Sequence, residues 1–205
     1  MSSQASNQNS GRYRGKLFVV SAPSGAGKTT LCRTALNHFP NMVRSISYTT
    51  RSPRRGEQHG VDYFFIDEDT FAKGIEEGRW LEWAKVHGNF YGTGADFVNA
   101  RLEEGQDVIM NIDIQGGQQI LNRFSDSVGI FIIPPSMEAL KQRLIRRGQD
   151  SAEEIEQRLI AAKTEMAHRH KYHHVLLNDD LAEATRSFLD IIGRYRGRQR
   201  GNPDA

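Results

Sequence analysis

The sequence predicts an α/β fold: a three-layer α/β/α sandwich with a parallel sheet core, a β-rich insert and a helical lid. Three observations carry that prediction. Short apolar runs recur along the chain with helical stretches between them, the pattern of strands buried on both faces and joined by crossovers. The first run, Leu17-Phe18-Val19-Val20, leads straight into a glycine-rich turn and then a helix. Between residues 43 and 91 the composition turns β-branched, aromatic and polar, so a different kind of structure is set into the core.

Taken in chain order, the first strand is expected over 16–21 and the first helix over 27–38. The insert follows. Ser45-Ile-Ser-Tyr-Thr-Thr-Arg is β-branched, polar and basic; Val61-Asp-Tyr-Phe-Phe-Ile reads as a strand, 68–77 as a short helix and Leu81-Glu-Trp-Ala-Lys-Val as another strand. The core resumes with a helix over 94–104, the apolar strand 107–112, a helix over 116–124 and the strand 128–133. Ser136, placed after Pro134-Pro135, caps a helix over 136–147. A second helix over 151–170 is joined to it by Gly148-Gln-Asp-Ser. Both are rich in arginine and carry only a thin apolar stripe, the composition of a mobile lid. A strand over 174–177 and a helix over 180–195, capped by Asp180 or Asn178, complete the core. The expected organisation is a disordered tail over 1–13, core over 14–43, insert over 44–93, core over 94–137, lid over 138–170, core over 171–196 and a basic tail over 197–205.

Composition narrows the function. With 205 residues there is material for one good core plus an insert. A net charge of +2 gives no argument for a nucleic-acid partner. The single cysteine, Cys32, rules out a disulfide within the chain and fits a cytoplasmic setting, with Cys32 as a packing residue. The polar first residues are neither signal peptide nor anchor, and no segment approaches membrane-spanning length. His168, His170, His173 and His174 cluster without a cysteine or an ordered carboxylate set, so a polar helix-to-strand turn is the better reading than a zinc site.

The chemistry begins at Ala22-Pro23-Ser24-Gly25-Ala26-Gly27-Lys28-Thr29-Thr30. Placed between a strand and a helix, this is a phosphate-binding loop, and it makes a nucleoside triphosphate the first expected ligand and a P-loop NTPase-type core the expected fold. Gly25 and Gly27 let the backbone curl so that successive N–H groups point at phosphate oxygens, and the helix adds its positive end. Lys28 reaches the β- and γ-phosphates, and the Thr29 hydroxyl is the expected ligand of magnesium (Mg2+). Ala22 stands where the motif has its first glycine.

An ordered set of further segments resembles the guanylate kinase family. They are Ser47-Tyr-Thr-Thr-Arg51-Ser-Pro-Arg54 with Gly56-Glu57, Gly60-Val-Asp62-Tyr63, Leu81-Glu82-Trp83-Ala84 and Gly88-Asn89-Phe90-Tyr91-Gly92-Thr93. Asn111-Ile-Asp113-Ile-Gln115-Gly116, Pro134-Pro135-Ser136, Arg147-Gly148 and Asn178-Asp179-Asp180 continue the set, which runs in order from about residue 16 to 192. The resemblance implies transfer of the γ-phosphoryl group of ATP to GMP, with magnesium. It implies a GMP site of Ser47, Arg51, Arg54, Tyr63, Glu82, Tyr91, Thr93 and Asp113. It also implies catalytic roles for Lys28, Arg51, Arg147 and Arg158, and an adenine contact at Asn178.

Those assignments suit the chemistry. Guanine presents N1–H and N2–H₂ side by side, and the acceptor-only carboxylate of Glu82 complements both; the Ser47 and Thr93 hydroxyls serve the O6 side. Adenine or thymine would leave that carboxylate short of donors. Two guanidinium forks, Arg51 and Arg54, with the phenols of Tyr63 and Tyr91, suit the phosphate of the acceptor, while Arg44 and Arg55 are weaker candidates. Arg143, Arg147 and Arg158 are the lid arginines; their alternative is pairing with Glu153, Glu154 and Glu156. One departure stands out: family members usually carry Asp where this chain has Asn111. Alternatives remain a kinase for another monophosphate such as dTMP, a non-catalytic scaffold of the same fold that binds phosphorylated peptides, and single-stranded RNA binding by the basic aromatic stretch.

Overall fold

The computed structural model describes residues 14–86, 88–148 and 150–199, the last three by backbone alone. The expected tail over 1–13 lies outside the described residues, as does 200–205.

Two sheets organise the chain. The larger has the order β2-β7-β1-β8-β9 with every pairing parallel. Its strands are β1 (Leu17–Ser21), β2 (Met42–Arg44), β7 (Asp107–Asn111), β8 (Val128–Ile133) and β9 (His174–Leu177). Alternation along β1 divides the core in two. Phe18 and Val20 join Leu31 and Ala35 of α1 (Lys28–His38) with Phe188 and Ile192 of α7 (Leu181–Gln199). Leu17 and Val19 face the other way, toward Val98 and Leu102 of α3 (Ala95–Glu103) and Ile120 of α4 (Ile114–Arg123). The inner strands β1, β7 and β8 are buried on both faces along nearly their whole length and read as apolar runs, whereas the edge strand β9 leaves Val175 and Leu177 exposed. The three layers expected are present.

The smaller sheet has the order β4-β3-β6-β5. Strands β5 (Trp80–Val86) and β6 (Asn89–Gly94) form an antiparallel hairpin; β3 (Tyr48–Thr49) adds antiparallel to β6, and β4 (Phe64–Phe65) adds parallel to β3. Short α2 (Glu68–Glu76) packs Phe71 against Trp80 and Phe90. The strand expected over Val61–Ile66 shrinks to Phe64–Phe65. Gly60 sits at φ 77° and Asp62 Oδ2 accepts from Gln58 N at 2.9 Å, so the preceding residues fold back as a turn.

Helices α5 (Met137–Arg147) and α6 (Ala152–Ala167) share a small apolar cluster of Leu140, Leu144, Leu159 and Ala162. The helix expected over 151–170 stops at Ala167 and tightens into a 3₁₀ turn, His168–Lys171, which redirects the chain into β9. Asp180, rather than Asn178, caps α7, accepting from Glu183 N at 2.8 Å. Among the described residues, no helix is long and apolar enough to cross a membrane.

Candidate active site

The loop from Ala22 to Gly27 leaves β1 and enters α1. Gly25 and Gly27 adopt φ of 88° and 98°, in the left-handed region. Gly27 caps α1 without a side-chain hydrogen bond, and the first turn holds no acidic residue. The orphan N–H groups and positive end of α1 are thereby left for an anion. Ala22 packs its methyl into the core. A Cβ on Gly25 would meet the methyls of Leu140 and Leu144 at 3.1 and 3.0 Å, so helix α5 rests directly on this loop.

Lys28 donates its ammonium to the carbonyl of Ile112 at 2.7 Å. Enclosure of the ammonium draws its pKa below the ordinary value, with the carboxylates of Asp113 and Glu165 working in the opposite sense. Thr29 is exposed, and Asn111 Nδ2 reaches its hydroxyl at 3.4 Å. Thr30 is also exposed, its carbonyl accepting from the Thr34 hydroxyl. Asn178 is buried. Its amide donates to the Ala26 carbonyl at 2.7 Å and fills the space a Cβ on Gly27 would need. Asn178 therefore buttresses the loop from behind.

The opposing wall comes from the small sheet. Alternation along β5 puts Glu82, Ala84 and Val86 on one face, with Thr93 and Tyr91 of β6 directly opposite the first two. A bulge between Trp80 and Glu82 lets Leu81 and Glu82 both be buried. Glu82 is 2% exposed; Oε1 accepts from the Thr93 hydroxyl at 2.7 Å, and Oε2 has no hydrogen-bond partner. Burial pushes its carboxyl up to about 7, with the Thr93 bond opposing and Asp113 assisting. Gly116 makes room for Oε2: a Cβ there would lie 2.2 Å from it.

Beside Glu82 lies a basic, aromatic pocket. Arg51 donates from Nη2 to both oxygens of Glu57 at 2.9 Å and from Nε to the Tyr91 phenol at 3.2 Å, and its guanidinium lies over the Tyr63 and Phe65 rings. Burial opposes the Arg51 charge, but the Glu57 and Tyr91 bonds more than offset it and raise its pKa. Glu57 also accepts from the Arg54 amide at 2.7 Å, ordering the turn that presents Arg54. Burial raises the Tyr63 pKa, so it remains a phenolic donor at neutral pH.

A cleft of about 580 Å³ joins the walls, bringing Lys28 and Thr29 together with Ser47, Arg54, Tyr63, Glu82, Tyr91, Asp113 and Arg147. Arg44, Arg55 and Asn111 line it too. Arg51 and Thr93 stand behind that surface, acting on Tyr91, Glu57 and Glu82. Asp113 caps α4, accepting from the amides of Gln115 and Gly116. Of the arginines on α5 and α6, Arg143 donates to the Asn178 carbonyl at 2.8 Å, and Arg158 donates to the Ser24 hydroxyl at 2.8 Å and to Asp150 at 2.9 Å. Their expected alternative partners on α6 are not the ones used. Glu57, Gly116 and Asp150 went unassigned by sequence reasoning; only Gly56-Glu57 and Gly116, inside matched segments, gave a signal.

The histidines have separate local partners: His173 Nδ1 accepts from Gly129 N, and His174 Nε2 lies 2.9 Å from the Tyr195 phenol. Among the described residues no group of three or more His, Cys, Asp or Glu is placed to hold a metal. Cys32 is buried and its thiol is pushed up to about 12 by burial, so it packs and does not react.

A five-stranded parallel sheet, a phosphate loop opening its first helix, and a second polar pocket across the cleft define a P-loop nucleotide-binding protein with paired donor and acceptor sites. The family model described as Guanylate kinase matches residues 14–195. The chain belongs to the guanylate kinase family. It is 50% identical over 180 residues to a guanylate kinase of Nitrosomonas europaea (88% of this chain, 90% of that protein). It is 51% identical over 178 residues to one of Dechloromonas aromatica (87% and 88%). The crystal structure of guanylate kinase from Anaplasma phagocytophilum superposes with a TM-score of 0.74 at 32% identity, covering 91% of this chain and 87% of that one.

Proposed function

We propose that the protein transfers the γ-phosphoryl group of ATP to GMP, and to dGMP, whose base presents the same edge, giving ADP and the diphosphate. One observation carries the choice of acceptor. Within the cleft that holds Lys28, the buried Glu82 keeps one oxygen without a partner, and a ligand with adjacent N–H donors can pair with both oxygens of that carboxylate. Guanine has two such donors. Adenine and thymine do not, and IMP lacks the 2-amino group. A site built to hydrogen-bond a ligand's N–H groups rejects the analogue that lacks them by about 10⁴-fold.

In this reading, residues 44–93 form the acceptor insert and 138–170 the lid. Arg54, Tyr63 and Tyr91 hold the acceptor phosphate, with Arg51 behind them. The loop from Ala22 to Thr30 holds the donor phosphates, and Lys28 exchanges the Ile112 carbonyl for β- and γ-phosphate oxygens. Arg147 and Arg158 offset the charge of the group in transfer. Phosphoryl transfer asks the protein chiefly for in-line alignment and charge stabilisation, and these residues supply both. The Thr29 hydroxyl would hold magnesium, which typically keeps several waters and needs few protein ligands beside the phosphates. When bound, the ion supplies charge neutralisation on the triphosphate. The substrates are small molecules, with no nucleic-acid or membrane partner, and the free buried thiol of Cys32 fits a cytoplasmic enzyme.

The test is an ADP-release assay across nucleoside monophosphates. Turnover is highest with GMP, Lys28→Ala loses turnover with every acceptor, and Glu82→Gln loses discrimination among bases. A parent protein inert toward GMP, or a Glu82→Gln variant with unchanged base preference, defeats the reading.

A further inference from the structure

Arg158 links the helical pair to the phosphate loop, and its geometry points to a residue with no assigned role. Nη1 donates to the Ser24 hydroxyl at 2.8 Å, while Nη2 donates to Asp150 Oδ1 at 2.9 Å. The Asp150 side chain is 7% exposed, and its Oδ2 is enclosed without a partner. Asp150 precedes Ser151, which caps α6 in a reciprocal capping box with Glu154. The carboxylate is thus set next to a helix start fixed by that capping box, and Arg158 lies about two turns further along α6.

We propose that Asp150 is a positioning residue: its carboxylate holds one arm of the Arg158 guanidinium so that the other arm is aimed at the phosphate-binding loop. The inference rests on the reading that this loop holds the phosphates of ATP. A free arginine side chain samples many rotamers, and freezing it on a phosphate costs affinity. The planar fork removes part of that cost here. With Nη2 held by Asp150, Nη1 needs only to exchange the Ser24 oxygen for a phosphate oxygen, and the plane of the guanidinium is already set. Asp150 also weakens the net positive charge near the phosphates. That opposing effect is smaller, because the carboxylate lies on the far arm of the fork and Arg158 stands between it and the loop. Pre-orientation wins, and removing Asp150 weakens triphosphate binding.

The experiment is a double-mutant cycle on the full chain: the parent, Asp150→Asn, Arg158→Ala and the double variant. Each is titrated calorimetrically with a non-hydrolysable ATP analogue and magnesium, then assayed for kcat and KM with ATP and GMP. Asp150→Asn keeps the shape of the side chain and is expected to weaken the analogue about tenfold, the effect of losing one well-directed charge-assisted contact. It raises KM for ATP or lowers kcat, leaves KM for GMP unchanged, and adds no further loss in the Arg158→Ala background. Arg158→Lys, which keeps the charge and loses the fork, falls to the level of Arg158→Ala. Equal affinity in Asp150→Asn and the parent, tighter binding in Asp150→Asn, or the same loss with and without Arg158 overturns the proposal. So does an effect confined to thermal stability. A parent that binds the analogue but phosphorylates no GMP refutes the reaction assigned above and leaves the cycle readable.

Discussion

The Thr93 hydroxyl donates to Oε1 of Glu82 at 2.7 Å across the β5–β6 hairpin, leaving Oε2 of the same carboxylate buried and unpartnered. One oxygen is fixed from behind and the other is kept for a ligand. Burial makes this carboxyl reluctant to ionise and holds its pKa at about 7.

That value makes GMP binding depend on pH. On the reading proposed above the ionised form of Glu82 accepts the guanine donors, so apparent affinity is expected to fall as pH drops below 7, approaching about tenfold per unit. The phosphate's own second ionisation, near about 6, is common to the parent and to Glu82→Gln, so their ratio isolates the carboxyl. The linkage to stability has the opposite sense. A carboxyl whose folded pKa is raised binds its proton more tightly in the folded state, so its burial cost is absent below about 4.5, grows through the interval and is complete above about 7. Glu82→Gln should raise Tm at pH 8 and leave it nearly unchanged at pH 4. A flat parent-to-variant ratio of GMP affinity between pH 5.5 and 8.5 contradicts this account.

Gly116 gives a steric test of the same oxygen. A methyl at this position would lie 2.2 Å from Glu82 Oε2, inside any tolerable contact. Gly116 lies in α4, where alanine is the better helix former by about 1 kcal/mol. Gly116→Ala should therefore fold, displace the carboxylate and raise KM for GMP at least about tenfold, with KM for ATP unchanged. Equal loss for both substrates would show that the glycine serves the whole core and not the acceptor pocket.

How legible these features were depends on the range of the forces that set them. β1, β7 and β8 were visible because strands covered on both faces must be largely apolar. The phosphate loop was visible because glycine, lysine and threonine act within one short turn. β3 and β4 are two residues each: β3 forms against β6 of the hairpin, and β4 is the remnant, paired to β3, of the strand read over Val61–Ile66. The opposing wall draws on β3, the 54–63 turn, β5, β6 and the start of α4, and only the resemblance gathered those segments in advance. Burial of Glu82 depends on a bulge and on a glycine from a distant helix. Neither is encoded in the alternation of β5.

Asn111 tests what charge does beside the phosphate loop. Its amide nitrogen faces the Thr29 hydroxyl at 3.4 Å, a weak, neutral contact. Asn111→Asp preserves shape and adds an acceptor-only group next to the expected magnesium ligand. The magnesium concentration for half-maximal velocity should fall about threefold or more, as charge-assisted contacts to the ion's waters replace a neutral one. An unchanged magnesium dependence would show that this position does not sense the ion.

Stability of the core rests partly on an ion pair far from the cleft. Asp107, fully buried at the start of β7, accepts from the Lys16 amide at 2.8 Å and from Arg196 Nε near the end of α7. The Arg196 guanidinium also lies 4.4 Å from the Phe39 ring centroid. Removing one partner strands the other charge in the interior, which costs about 3–5 kcal/mol. Arg196→Met should therefore destabilise, because the buried Asp107 carboxylate loses the charge-assisted bond from Arg196 Nε. Asp107→Asn should cost less than Arg196→Met, since the amide oxygen still accepts from Lys16 N and Arg196 lies nearer solvent. In the double variant both halves of the pair are removed together, so its loss should be smaller than the sum of the two single losses by at least about 1 kcal/mol. Strict additivity in urea unfolding would mean that the pair contributes no coupling.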